Sequence, residues 1–199
     1  VNGEFDAKTS DAIKVYQKKS RFTMDGVVNG KIWTSIEGDL NKECAVHTFI
    51  LHPQTPAAGP IMFDRTHYLH EVVRFSFTPS ADTTVKTITL KMNPSIANGV
   101  PARNLYIDGV RYDSGYVLAN DRAAFSENGE KVLQANPVVF RKGVHYDLSL
   151  KVQTNLSAAA RYGKTISVGI SNITFEPSGH KIRQQLPIYG NVISITSAV

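Results

Sequence analysis

Cysteine is almost missing from this chain: Cys44 is the only one among 199 residues. That excludes an internal disulfide framework and any structural zinc site built from several thiolates. Long apolar runs are missing as well. No stretch approaches the roughly 18–20 apolar residues that a membrane-spanning helix needs. Basic residues form no run longer than two, although the net charge is +5, and without a basic patch interleaved with aromatics no nucleic-acid binding is expected. There is no Gly-rich phosphate loop, no Ser nucleophile elbow, no H-E-x-x-H helix and no acidic calcium loop. The chain is therefore not read as an enzyme, and no catalytic residue, cofactor or required metal is expected.

What is present is an ordinary globular composition, 42% hydrophobic and 20% charged, in a chain long enough for one large domain or two small ones. Charge and periodicity divide it near residue 43. Residues 1–43 hold seven basic and seven acidic residues, so the whole positive excess lies in 44–199. The first part is helical in period. Ala12, Ile13 and Tyr16 share one face of a short helix that Asp6 or Thr9 can cap and that ends on Lys18 and Lys19. Asp25-Gly26 marks a tight turn. A second helix is expected to open at Asn29, with Ile32, Trp33, Ile36 and Leu40 on its inner face, and Tyr16 and Trp33 are expected in the core. Helices this short need a third element to pack on.

Gly3, Phe5, Thr9, Ala12, Ile13, Tyr16, Gln17, Asp25, Gly26, Val28 and Trp33 stand at fixed spacings. In that spacing residues 2–36 resemble the second and third helices of the small peptidoglycan-binding domain carried by bacterial wall enzymes. Asp6, Arg21 and Asn29 stand where that family has glycine, and Ile32 where it has Thr. A non-glycine residue in a left-handed conformation costs on the order of 1 kcal/mol, which Asn29 tolerates better than Arg21. The family's first helix would lie before Val1, so either the chain is trimmed or another element takes that place. The resemblance implies that residues 1–43 form a partial wall-binding module. Gln17, Arg21 and Asp25 are then expected as the polar contacts to a glycan or peptide stem, and peptidoglycan or another wall polymer is the expected partner.

From Cys44 the period changes to alternation. Strands are expected over Ala45–Leu51, Arg74–Phe77, Lys86–Met92 and Tyr146–Val152, over Ile166 to Phe175 with a bulge near Ser171-Asn172, and near Ile193 and Ile195. HPQTPAAGP reads as a connection, and NLSAAARYG, residues 155–163, as a turn of helix. Asp108-Gly109 and Asn128-Gly129 read as tight hairpin turns. Many short strands between turn signals predict a mainly β chain: an antiparallel Ig-like β-sandwich over 44–199, preceded by a small α-helical module.

Three segments in order, FILHPQTPAAGPIMF, NLYIDGVRYDSG and LPIYGNVISI, are similar to β-sandwich modules in large surface proteins of bacteria with small genomes. That resemblance implies an exported, non-enzymatic module for display, adhesion or lattice building. The combined expectation is an extracellular or envelope structural protein that attaches to peptidoglycan and self-associates into a filament or lattice. An accessory wall-binding fragment of a peptidoglycan hydrolase, or a virion or injection-machine component contacting the wall, are the alternatives.

The remaining candidates are weaker. Cys44 and His47 lie three apart and point to opposite faces of a strand. His67 and His70, with Asp64 and Glu71, lack any zinc spacing and read as a solvated loop. His52, His145 and His180 are isolated in sequence and read as ordinary strand or loop residues. Asn155 and Asn172 open N-x-S/T acceptor patterns and are read as unmodified.

Overall fold

A computed structural model describes residues 6–56, 59–62, 70–113, 115–121, 123–154 and 162–196. The chain divides into two compact units, Val1–Glu43 and Cys44–Val199.

The first unit holds helices α1 (Ala7–Lys19) and α2 (Gly30–Glu43). Asp6 caps α1, its carboxylate accepting from the Thr9 amide at 2.8 Å, and Asn29 caps α2 by accepting from the Ile32 amide at 3.1 Å. Two of the three residues that replace family glycines are thus helix N-caps, where a short polar side chain satisfies an orphan N–H. Only Arg21 takes the left-handed conformation, at φ 61°. The expected helix faces are rotated. On α1 Gln17 is buried while Ala12 is exposed; on α2 Ile32 is buried while Trp33 and Leu40 are exposed. Trp33 is 55% exposed and is not the core residue expected, because with Ile32 facing inward its neighbour lies about 100° around the helix.

The second unit is built of strands: β1 (Val46–Leu51), β2 (Gly59–Met62), β3 (His70–Thr78), β4 (Thr83–Met92), β5 (Leu105–Tyr112), β6 (Tyr116–Ala119), β7 (Glu130–Gln134), β8 (Val139–Phe140), β9 (Tyr146–Thr154), β10 (Thr165–Ile166), β11 (Val168–Glu176), β12 (Lys181–Ile182), β13 (Ile188–Tyr189) and β14 (Ile193–Thr196). One sheet runs β12-β1-β3-β9-β5-β6; the other runs β13-β11-β4-β7, with β8 also on β4. A small third sheet, β10-β14-β2, lies beside them in the topology. Alternating apolar residues of the two large sheets merge in one core. Phe77 of β3 meets Phe140 of β8 at 5.3 Å and Phe175 of β11 at 5.9 Å, ring centre to ring centre, which locks the layers face to face. This is the antiparallel Ig-like sandwich the alternation predicts. Two short pairings, β1 with β12 and β14 with β2, are parallel.

Three local expectations need correction. Asp108-Gly109 is no hairpin turn: β5 runs unbroken through it, and the register slips between Ile107 and Gly109 against β9. Asp108 is the extra residue of a bulge, and Gly109 (φ 154°) is packed where a Cβ would sit 2.6 Å from the Ala119 carbonyl oxygen. Asn128-Gly129 does turn the chain, but its flanks part: Ala124 bridges to Tyr106 while β7 pairs with β4. The Pro/Gly-rich connection ends in a strand, β2, which lies parallel to β14. The bulge near Ser171 is present, between Ile170 and Asn172. Residues 155–161 and His67 with Asp64 lie outside the described residues, as does the Asn155 acceptor pattern; Asn172 is exposed on β11.

Candidate functional site

In the helical unit the loop between the helices is held by a clasp. The Gln17 side-chain amide, fully buried, donates to Asp25 Oδ1 at 2.7 Å and to the Val27 carbonyl at 3.0 Å. Its carbonyl oxygen accepts from the Gly26 amide at 2.9 Å. Asp25 Oδ1 also accepts from the Val27 amide at 2.9 Å. That bond first, and the Gln17 amide second, hold the Asp25 carboxyl below its ordinary range. Gly26 sits at φ 73°, where an added Cβ would lie 2.6 Å from Ser10 Oγ and 3.1 Å from Lys14 Cε, so the family's D-G pair has a geometric reason.

The three expected glycan contacts are therefore not equivalent. Gln17 has no exposed surface, and both atoms of its amide are used by the fold. It holds the loop between the helices. Arg21 and Asp25 are exposed. Sequence reasoning missed a cleft of about 230 Å³ lined by Tyr16, Lys19, Ile36, Asp39 and Leu40. At its edge the Tyr16 hydroxyl donates to Asp39 Oδ2 at 2.7 Å and lies 2.8 Å from Ser35 Oγ. The spacing of Tyr16 pointed to a helix face but could not show that its hydroxyl spans to the second helix.

In the sandwich unit four histidines, three of them read as isolated, are brought together in two pairs. His47 is fully buried, with Nε2 3.0 Å from His180 Nδ1. The Ser80 amide donates to His47 Nδ1 at 3.1 Å, which leaves the ring proton of the neutral form on Nε2, donating to His180. Burial first, and the charge of His180 second, push the His47 pKa down to about 4. Cys44 is exposed and takes no part.

On the outer face of the six-stranded sheet, His52 follows β1 and His145 precedes β9. Their Nε2 atoms lie 3.4 Å and 3.1 Å from the same oxygen, Asp147 Oδ1. Asp147 also lines a cleft of about 430 Å³ with Arg74, Asp113 and Ser149. Arg74 is held by both oxygens of Glu71, at 3.0 and 3.1 Å.

Residues 1–36 match the family model described as "Putative peptidoglycan binding domain". No curated protein matches the chain. Among solved structures the chain is similar to a cohesin module from a family 33 glycoside hydrolase of Clostridium perfringens ATCC13124 at 8% identity, covering 77% of this chain and 98% of that one with a TM-score of 0.33. BslA, described as a bacterial hydrophobin, is similar at 9% identity, with 78% and 98% covered and a TM-score of 0.33. The ligand-binding region of serine-glutamate repeat protein A of Enterococcus faecium is similar at 13% identity, with 69% and 97% covered and a TM-score of 0.25. Among the described residues no helix is long and apolar enough to cross a membrane.

Proposed function

We propose that this is a non-catalytic protein of the bacterial envelope or extracellular space, which its helical unit attaches to peptidoglycan or a related wall polymer while its sandwich is displayed. One observation carries the reading. The residues that match the peptidoglycan-binding family, Gln17, Asp25 and Gly26 among them, form a complete clasp, so the loop that family pattern encodes is built. Arg21 and Asp25 beside that loop offer donors and acceptors to sugar hydroxyls or stem-peptide groups. The Tyr16–Lys19–Asp39 cleft and the exposed Trp33 indole offer an apolar surface with polar edges, as a pyranose ring requires. Gln17 holds the loop that carries Asp25.

The test is co-sedimentation with purified sacculi, with and without their attached anionic polymers. Arg21→Ala/Lys19→Ala/Trp33→Ala is expected to lose at least tenfold in binding while its far-ultraviolet circular dichroism stays unchanged. Equal pelleting of wild type and variant overturns the reading. Self-association into a filament or lattice is the second part of the proposal, since a sandwich leaves sheet edges that a neighbour can extend. Electron microscopy across a concentration series tests it; dispersed particles at every concentration refute that part alone.

A further inference from the structure

We propose that His52, His145 and Asp147 form a binding site for one divalent transition-metal ion of the zinc type, on the outer face of the sandwich. The observation is convergence. Three ligand-type side chains from three places in the chain, the end of β1, the loop before β9 and the second residue of β9, bring one donor atom each to within 4.8 Å of the others. Both imidazole Nε2 atoms face a single carboxylate oxygen, at 3.1 and 3.4 Å. Zinc binds His nitrogen and carboxylate oxygen at about 2.0–2.2 Å, so neighbouring ligands of a tetrahedral ion stand about 3.4 Å apart. Two edges of that tetrahedron are already present. Two imidazoles and a carboxylate suit zinc and its neighbours over calcium or magnesium, which take oxygen.

Without metal, His145 Nε2 donates to Asp147 Oδ1 at 3.1 Å. The Gln54 amide donates to His52 Nδ1 at 2.9 Å, so neutral His52 carries its proton on Nε2, 3.4 Å from Asp147 Oδ1. A metal ion takes the place of that proton. His52 must then move its proton to Nδ1, and the Gln54 contact must open. Gln54 lies in an exposed turn, where water replaces the lost partner. His145 meets no such obstacle: its Nδ1 lies 3.4 Å from Thr78 Oγ1, an acceptor for the Nδ1 proton that the ligating tautomer carries. Asp147 is fixed from the other side, because its backbone carbonyl accepts from the Asp113 amide at 2.8 Å. His145 and Asp147 are 58% and 40% exposed, so an ion reaches them from solvent and keeps a position for water.

The site is independent of the wall-binding reading, and its test is separate. Zinc titration of the full chain carrying Cys44→Ser, by isothermal calorimetry, is expected to give one ion per chain. His145→Ala and Asp147→Asn are each expected to weaken binding at least tenfold, and His70→Ala to leave it unchanged. Because His145 is exposed and Asp147→Asn keeps the shape of the side chain, the variants should keep the wild-type circular dichroism. Two further signals report the geometry: the His52 ring nitrogens change tautomer in nitrogen NMR, and the Gln54 amide exchanges faster with zinc than without. No zinc uptake, uptake that survives both variants, or uptake lost with His70→Ala overturns the proposal.

Discussion

His47 Nε2 donates to His180 Nδ1 at 3.0 Å across 133 positions of sequence, in a pocket closed by the rings of Phe77 and Phe175. Every ring nitrogen of His47 is committed, one to the Ser80 amide and one to His180. A proton added to His47 Nδ1 would face the N–H of Ser80.

That arrangement makes the sandwich sensitive to acid. Well above pH 6.5 the His47 imidazole is neutral in both the folded and the unfolded chain. Between 6.5 and about 4 the unfolded chain takes up a proton that the folded chain refuses, so stability falls as pH falls. The contribution lost by pH 4 is about 2–3 kcal/mol. Urea unfolding at stepped pH should show it, and His47→Leu should flatten that part of the profile. An identical acid limb in both proteins would assign the loss to other groups.

The Gln17 clasp predicts a defect confined to the helical unit. Gln17→Ala removes three hydrogen bonds and strands the buried Gly26 amide, a cost of about 2–3 kcal/mol. Gln17→Glu keeps the shape but sets a second carboxylate against Asp25, so it should destabilise at neutral pH and recover as the pair takes up a proton. Helical ellipticity at 222 nm on heating measures both. Unchanged melting in Gln17→Ala would refute the clasp.

Arg21 holds φ 61° without a glycine's freedom. Arg21→Gly should relieve that conformation and raise helical stability by up to about 1 kcal/mol, partly offset by the greater entropy of the unfolded glycine chain. The same substitution removes a proposed wall contact. A variant that is more stable and binds sacculi less would separate the two roles of this position; lowered stability would argue against strain there.

Gly169 of β11 packs so closely on β13 that a Cβ would overlap the Ile188 carbonyl. Backbone cannot yield as a side chain does, so Gly169→Ala should cost about 3 kcal/mol or force β13 off the sheet. Amide exchange at Ile188 and Tyr189 distinguishes these outcomes, and wild-type protection with wild-type stability would contradict both.

Much of the architecture was legible in sequence. The alternation of Tyr146 to Val152 and of Lys86 to Met92 marked β9 and β4, and the phase shift at Ser171 marked a bulge, because a strand's two faces repeat every second residue. Asp6 and Asn29 announced helix starts through chemistry that acts within three residues. Local signals failed where the partner was distant. Asp108-Gly109 has the composition of a hairpin turn, but β9 pairs along its whole length and makes it a bulge.

Sequence alone therefore determined the mainly β class, the helical first unit and the family likeness of residues 1–36. Those depend on periodicity and spacing, which are properties of neighbouring residues. Only the tertiary structure decided that Gln17 is a buried clasp, and that Trp33 faces outward. Only it brought His47 to His180 and His52 and His145 to Asp147. Strand pairing joins positions a hundred or more residues apart, and no local pattern records which face meets which.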